Sequence, residues 1–438
     1  MVRMATIGNT STLMQNTNPR LGEWAWFSII LLLLGVFYTG VIRNLDPVGD
    51  KFFFHMYPGG GDFIYPYNGA KALLAGIDPY THEEQELFDP WGRDEAINGV
   101  MFRQFYPPSH LAAYVPLVVI TDGNFRSASR IWFHVNLLCL LTLSLVTCHL
   151  VAKVFRWSGT FRMYGAMLFP SMLFVLCMNQ GVAIGLERGQ SDIFTAMLCW
   201  AGVLAWLCEM RFLPLLLVVT AALFKGYAVL FALGLCLLGL IEGRRLAPII
   251  GGTILPVLVL VAPVLQHFPR GLEATIYRAD KFWNIWYNHG FKNLIYNISP
   301  NFAEAGNLLL FALTTSVAAL VWWRLVRAGP ETRPMWMILF ACVSLTAMLG
   351  VSGLSVSYNL ILILPGVLVL LATQKKLSEV ASLSNEGLLG LLLGLAGLSL
   401  VVLRLNSATF PIASIGLLCI VFVSSLVALA KPSVIESD

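Results

Sequence analysis

Long apolar runs decide what this chain can fold into. Residues 24–42, 128–152, 163–182 and 190–207 each carry close to the ~20 residues that take a helix across a bilayer. Further runs occupy 247–265, 305–323, 335–351, 358–373, 387–403 and 410–430, and the stretch 212–241 is apolar except for a break at Lys225-Gly226. Residues 110–120 are apolar but too short to span easily, and read as re-entrant or interfacial. Backbone polar groups in hydrocarbon must bond internally, which favours helices for such runs. The expected fold class is therefore an all-α polytopic membrane protein with about 11–13 membrane segments.

Charge agrees with that reading. The 28 basic and 24 acidic residues are 12% of the 438, about half the share in an average soluble domain. So small a charged surface excludes a soluble enzyme and a disordered chain. The net charge of +4 is too small and too dispersed for a phosphate-tracking stripe, so no nucleic-acid partner is expected. The eight cysteines (139, 148, 177, 199, 208, 236, 342 and 419) lie in or beside apolar runs without a CxxC pair. They read as small buried hydrophobes rather than a disulfide framework or zinc site.

Loop charges set the expected orientation. With residues 1–23 in the cytoplasm, the inside loops carry Lys153, Arg156, Arg162, Arg211, Arg244, Arg245, Arg324, Arg327, Arg333, Lys375 and Lys376, as the positive-inside rule asks. This works only if 212–241 crosses twice, as two short helices turning near Lys225. One membrane domain is then expected over 24–430, with a cytoplasmic tail at 431–438. Its large outward loops are 43–108 and 266–304, each carrying short interfacial helices. The first holds ten acidic side chains against five basic ones, and a long loop in a compact protein is commonly functional.

Within that loop, Phe63, Tyr67, Ala70, Leu73 and Leu74 have helical spacing before Gly76, which suggests a short amphipathic helix at the membrane surface. Asp62 opens it after three glycines. A helix N-cap and a general base both fit an Asp there. Asp78-Pro79-Tyr80 reads as a turn and Tyr106-Pro107-Pro108 as a rigid connector. In the second outer loop, Trp283, Trp286 and Tyr287 fit an interface belt or a sugar-stacking platform. Inside the apolar runs, Glu187-Arg188-Gly189-Gln190-Ser191-Asp192 and Lys225 stand out, because ionisable groups at membrane depth are costly. Glu187 and Arg188 could form a loop ion pair. Lys225 could snorkel to the interface or hold a phosphate. The spacing Gly387, Gly390, Gly394, Gly397 reads as close helix packing, and 378–387 as a connector.

Four stretches together resemble glycosyltransferase family 87 of the GT-C superfamily. They are Gly61-Asp62-Phe63-Ile64-Tyr65 through Asp78-Pro79-Tyr80; Tyr106-Pro107-Pro108 with Pro116-Leu117; Gly189-Gln190 with Lys225; and Ser355-Val356-Ser357-Tyr358-Asn359-Leu360 into Leu364-Pro365. The chain departs from the family pattern at Asp192, where Asn is usual, and at Asn288-His289-Gly290-Phe291. The final turn lacks a histidine that some members carry, which makes His289 its candidate replacement.

The resemblance implies a GT-C-type helix bundle in the bacterial inner membrane, with its site on the outer face. The implied reaction is inverting transfer of mannose or another hexose from a polyprenyl-phosphate donor to a hydroxyl of a glycolipid or glycan acceptor. Asp62 is implied as the general base. Lys225, with Arg188 in reserve, is implied at the donor phosphate. Gln190, Tyr65, Asp78, Tyr80, Tyr106, His289, Ser357 and Asn359 are implied at the substrates, and no metal or cofactor is implied. The competing classes are a transporter or flippase for lipid-linked sugars, which would also need many spans and a few midplane charges, and an inactive GT-C-like structural protein. No internal repeat of the transporter kind is apparent.

Overall fold

A computed structural model describes residues 62–80, 104, 106–155, 168–169, 172–173, 175–176, 179, 182, 185–186, 189–243, 246–282, 290–352, 357–381, 386–401 and 412–430. The expected first span, most of 163–182, both termini, most of the acidic loop, Glu187, Arg188, and the aromatic run with His289 lie outside the described residues. Fifteen α-helices and no strand occur among the described residues. In chain order they are α1 (Ile64–Leu74), α2 (Pro108–Ile120), α3 (Phe125–Phe155), α4 (Asp192–Leu207), α5 (Leu213–Phe224), α6 (Val229–Ile241), α7 (Leu246–Leu260) and α8 (Phe268–Phe282). There follow α9 (Phe291–Ile298), α10 (Ala303–Arg327), α11 (Arg333–Val351), α12 (Leu364–Ala372), α13 (Gln374–Ala381), α14 (Glu386–Val401) and α15 (Ile412–Leu429).

Three helical segments are long and apolar enough to cross a membrane: Ser127–Phe155, Pro300–Arg327 and Arg333–Val351. A fourth is counted if Ala247–Leu260 and Ala262–Ile276, which meet at 55°, form one broken span. Six further apolar helices have 10–17 residues. The protein is thus all-helical over the described residues and has the elements of a helical membrane protein. Two of the apolar runs have a break among the described residues. The stretch 358–373 divides into a 3-10 turn (Ser357–Leu362) and the nine-residue α12. The apparent connector 378–387 is partly helical, since α13 continues to Ala381 and α14 starts at Glu386.

The main core centres on α4 and α11. Residues 335–347 of α11 are buried without interruption. Trp200 of α4 is fully buried, and its Nε1 donates to Leu362 O at 2.7 Å. Gly366 on α12 permits that approach, because a Cβ there would run into Trp200 and Cys342. Of the glycines expected to pack closely on α14, Gly390 does so, against Gln374. A Cβ at Gly394 would meet nothing within 4 Å. The cysteines are also less uniform than expected: Cys208 is exposed and Cys236 half-buried, while Cys139, Cys148, Cys199, Cys342 and Cys419 are buried.

The chain reverses at Lys225. That residue is extended (φ −140, ψ 122) between α5 and a 3-10 turn, Gly226–Ala228, that leads into α6. Arg211 before α5 and Glu242 and Gly243 after α6 line one cavity of about 510 Å³ with Pro248, Pro330 and Arg333. Both outer ends of the broken stretch therefore return to one end of the bundle. Arg333 forms an ion pair with Glu242 there. Arg324 donates to the carbonyls of Ala428 and Ala430 at 2.9 and 2.8 Å, and Lys376 to Val154 O at 2.7 Å. Helices α3 and α4 run the same way, since Trp132 near the start of α3 donates to Gly189 O just before α4, at 2.8 Å. The basic connections thus gather at one end, and Lys225 lies at the other.

Candidate functional site

Helix α1 sets the position of Asp62. Phe63, Tyr67 and Ala70 are buried in a small core with Tyr114 and Val118 of α2, Phe125, Ala128 and Trp132 of α3, and Phe224 of α5. The Tyr67 hydroxyl meets Thr121 Oγ1 at 3.2 Å. The helix thus packs one face into the protein, while Leu74 and Ala75 at its end are exposed. Its C-terminus closes at Gly76 (φ +71), where Ile77 N–H bonds Ala72 O at 2.9 Å and Gly76 N–H bonds Leu73 O at 3.2 Å. That is a Schellman ending, which favours glycine. The N-cap is Phe63, with no side-chain cap bond. Asp62 precedes the cap, and its carboxylate accepts a hydrogen bond from Gln190 Nε2.

Gln190 sits in the turn that opens α4. Gly189 adopts φ +64, and Gln190 N–H bonds Gly185 O at 2.8 Å. The Gln190 side chain is buried and joins three functional candidates. Its Oε1 accepts from Lys225 Nζ at 3.2 Å and from the Tyr106 hydroxyl at 3.4 Å, while its Nε2 donates to Asp62. Lys225 also donates to Asp192 Oδ2 at 2.6 Å, and these side chains are 10% and 0% exposed. The inward ion pair decides against Lys225 snorkelling to a surface. Asn359 Nδ2 donates to Asp192 Oδ1 at 2.6 Å, and the Tyr227 hydroxyl donates to Asn359 Oδ1 at 3.5 Å. Asp62, Gln190, Lys225, Asp192, Asn359 and Tyr227 thus form one polar chain.

The helix break that supplies Lys225 is held from outside. A helix C-terminus leaves carbonyls without intrahelical donors. Ser109 Oγ donates to Leu223 O at 2.7 Å, and His110 Nδ1 meets Phe224 O at 2.6 Å. A carbonyl only accepts, so Nδ1 carries the proton. The His110 ring stacks between Tyr106 and Tyr114, with centroid distances of 4.6 and 5.4 Å. The start of α2 therefore caps the end of α5 and supports Tyr106 as well.

The remaining candidates fall into two groups. Tyr65 accepts from Gln104 Nε2 through its backbone carbonyl at 2.6 Å, and Gln104 Oε1 accepts from Tyr106 N–H at 3.3 Å. Tyr80 donates to Tyr106 O at 2.6 Å, and its own N–H bonds Asp78 Oδ1 at 3.0 Å, which makes the expected turn. Asp78 is held by Arg270 and lies 3.5 Å from His267 Nδ1. Asp78 and Tyr80 thus stand behind Tyr106. Arg188, His289 and the Ser357 side chain lie outside the described residues. Residue-by-residue reading left Asp192, Gln104, His110 and Tyr227 out of the site. Asp192 had a visible signal, a carboxylate opening an apolar run, whereas His110 is a lone histidine on an apolar helix and had none.

Comparison with protein-family models, with curated proteins and with solved structures returns no match for this chain.

Proposed function

We propose that the chain is a membrane glycosyltransferase of GT-C type, resembling family 87, that moves a hexose from a polyprenyl-phosphate donor to an acceptor hydroxyl. The observation that carries this reading is the convergence of Asp62 and Lys225 on Gln190, from positions 128 and 35 residues away in sequence. A carboxylate and an ammonium held on one amide suit a reaction that takes a proton at one end and releases a phosphate at the other. The flanking tyrosines and Asn359 add donors and acceptors of the kind that sugar hydroxyls bind.

In this reading the acceptor hydroxyl attacks the anomeric carbon of the donor sugar, and Asp62 takes the hydroxyl proton. The bond from that carbon to the phosphate oxygen breaks, polyprenyl phosphate leaves, and configuration inverts. A base must lie within hydrogen-bond reach of the proton that it removes. The charge gathering on the leaving phosphate needs cationic or N–H partners, and Lys225 is the described cation of the network. The substrates are lipid-linked, so the chain works within a membrane with its site at the outer face.

The test is incubation of the purified protein in nanodiscs with labelled polyprenyl-phosphomannose and a membrane-lipid acceptor extract. Labelled product and released polyprenyl phosphate are expected from wild type and not from Asp62→Asn. Equal product from that variant would remove Asp62 from the base role. Donor movement across vesicles without product would favour a transporter.

A further inference from the structure

We propose that Gln190 is a positioning residue, whose amide is locked so that its N–H group faces Asp62. This rests on the reading of Asp62 as the general base. It differs from the resemblance, which puts Gln190 among the substrate-binding residues. An amide carries an acceptor at one end and donors at the other, and the two ends are told apart by what surrounds them. Lys225 has only donors, so the atom 3.2 Å from its Nζ must be Oε1. The Tyr106 hydroxyl supplies a second donor to that oxygen at 3.4 Å. With Oε1 so engaged, Nε2 is turned to the Asp62 carboxylate.

The lock is anchored beyond Gln190. Asp192, fully buried, draws Lys225 Nζ to 2.6 Å. Asn359 holds the other Asp192 oxygen at 2.6 Å. Asp192 therefore fixes the ammonium, the ammonium fixes the amide, and the amide fixes Asp62. The bond fixes one carboxylate oxygen of Asp62. Gln190 acts on the reaction through Asp62, without contact with the reacting atoms.

The inference separates position 190 from a merely packed glutamine by reversing the bond. Gln190→Glu keeps side-chain length and an oxygen for Lys225 and Tyr106, but sets a carboxylate oxygen against Asp62. Adding Asp62→Asn supplies an N–H from position 62 and restores the bond in the opposite sense. In nanodiscs, Gln190→Glu is expected to unfold several degrees below wild type, and the Asp62→Asn, Gln190→Glu double variant to recover most of that loss. Strictly additive melting shifts would overturn the contact.

Transfer is read on the same samples. Gln190→Leu and Gln190→Glu are each expected to lose roughly a hundredfold in kcat, the scale of a misplaced general base, with the donor KM changed less than about twofold. The double variant is expected to stay inactive, because its carboxylate stands at the wrong position. A large rise in donor KM at unchanged kcat would overturn the positioning role and make Gln190 a donor ligand. If wild type transfers nothing while the melting coupling is present, the amide lock stands and the transferase reading falls.

Discussion

A carboxylate with no exposed surface, Asp192, and an ammonium with almost none, Lys225, meet at the junction of apolar helices. Removing one member of such a pair leaves a buried charge and costs about 3–5 kcal/mol, whereas replacing both by neutral groups is often close to neutral. Asp192→Ala is therefore expected to lower the melting temperature in nanodiscs strongly, and Asp192→Asn with Lys225→Met to recover most of the loss. Equal melting of Asp192→Ala and wild type would mean that the pair is not buried as described. The neutral double variant also takes the proposed cation from the donor phosphate without leaving a buried charge. Its apparent donor KM is expected to rise about tenfold, the effect of roughly 1.4 kcal/mol of lost binding. An unchanged donor KM would leave the phosphate to other cations. Much of this site is legible in the sequence, since Asp62 follows a glycine run and Lys225 interrupts an apolar one. The pairing was hidden because it depends on which helix ends meet, and residues 192 and 225 lie on different elements.

At the scale of elements, the decisive device is the broken helix and the short helix that seals it. The apolar stretch 212–241 showed its break, because Lys225-Gly226 interrupts it, and the structure has two short helices there. Helix α2 showed its shortness too. Its task did not show, because capping α5 is a tertiary contact between residues 114 positions apart. His110→Ala removes the donor from Phe224 O and the ring between Tyr106 and Tyr114. The orphaned carbonyl alone costs about 1–3 kcal/mol. The variant is expected to melt below wild type, and His110→Asn, which keeps an N–H, to fall between the two. The same melt for Ala and Asn variants would point to lost packing alone. Bends within apolar runs are equally hard to read from composition. An apolar composition states that a segment avoids water, but a 55° bend between α7 and the following helical stretch depends on what lies beside it.

Among the described residues, four basic side chains and the candidate site lie at opposite ends of the bundle, and this gives the proposed orientation its test. Arg211, Arg324, Arg333 and Lys376 sit at the end where α3, α4, α6, α10 and α15 finish. Asp62, Gln190 and Lys225 sit where α1 and α4 begin and α5 breaks. Basic connections are retained on the cytoplasmic side of a membrane, so the proposed orientation puts the candidate site outside. Cys208, exposed after α4 beside the basic end, is a native reporter. A membrane-impermeant maleimide is expected to label it in inside-out vesicles and to spare it in right-side-out vesicles, with Cys208→Ser as the blank. Ala75, exposed after α1, reports the other end, so Ala75→Cys in the Cys208→Ser background is expected to give the opposite pattern. Labelling of both positions from one side would break the two-ended arrangement itself. Reversed but still opposite patterns would keep the arrangement and turn the site inward, where an acceptor on the outer face could not reach Asp62.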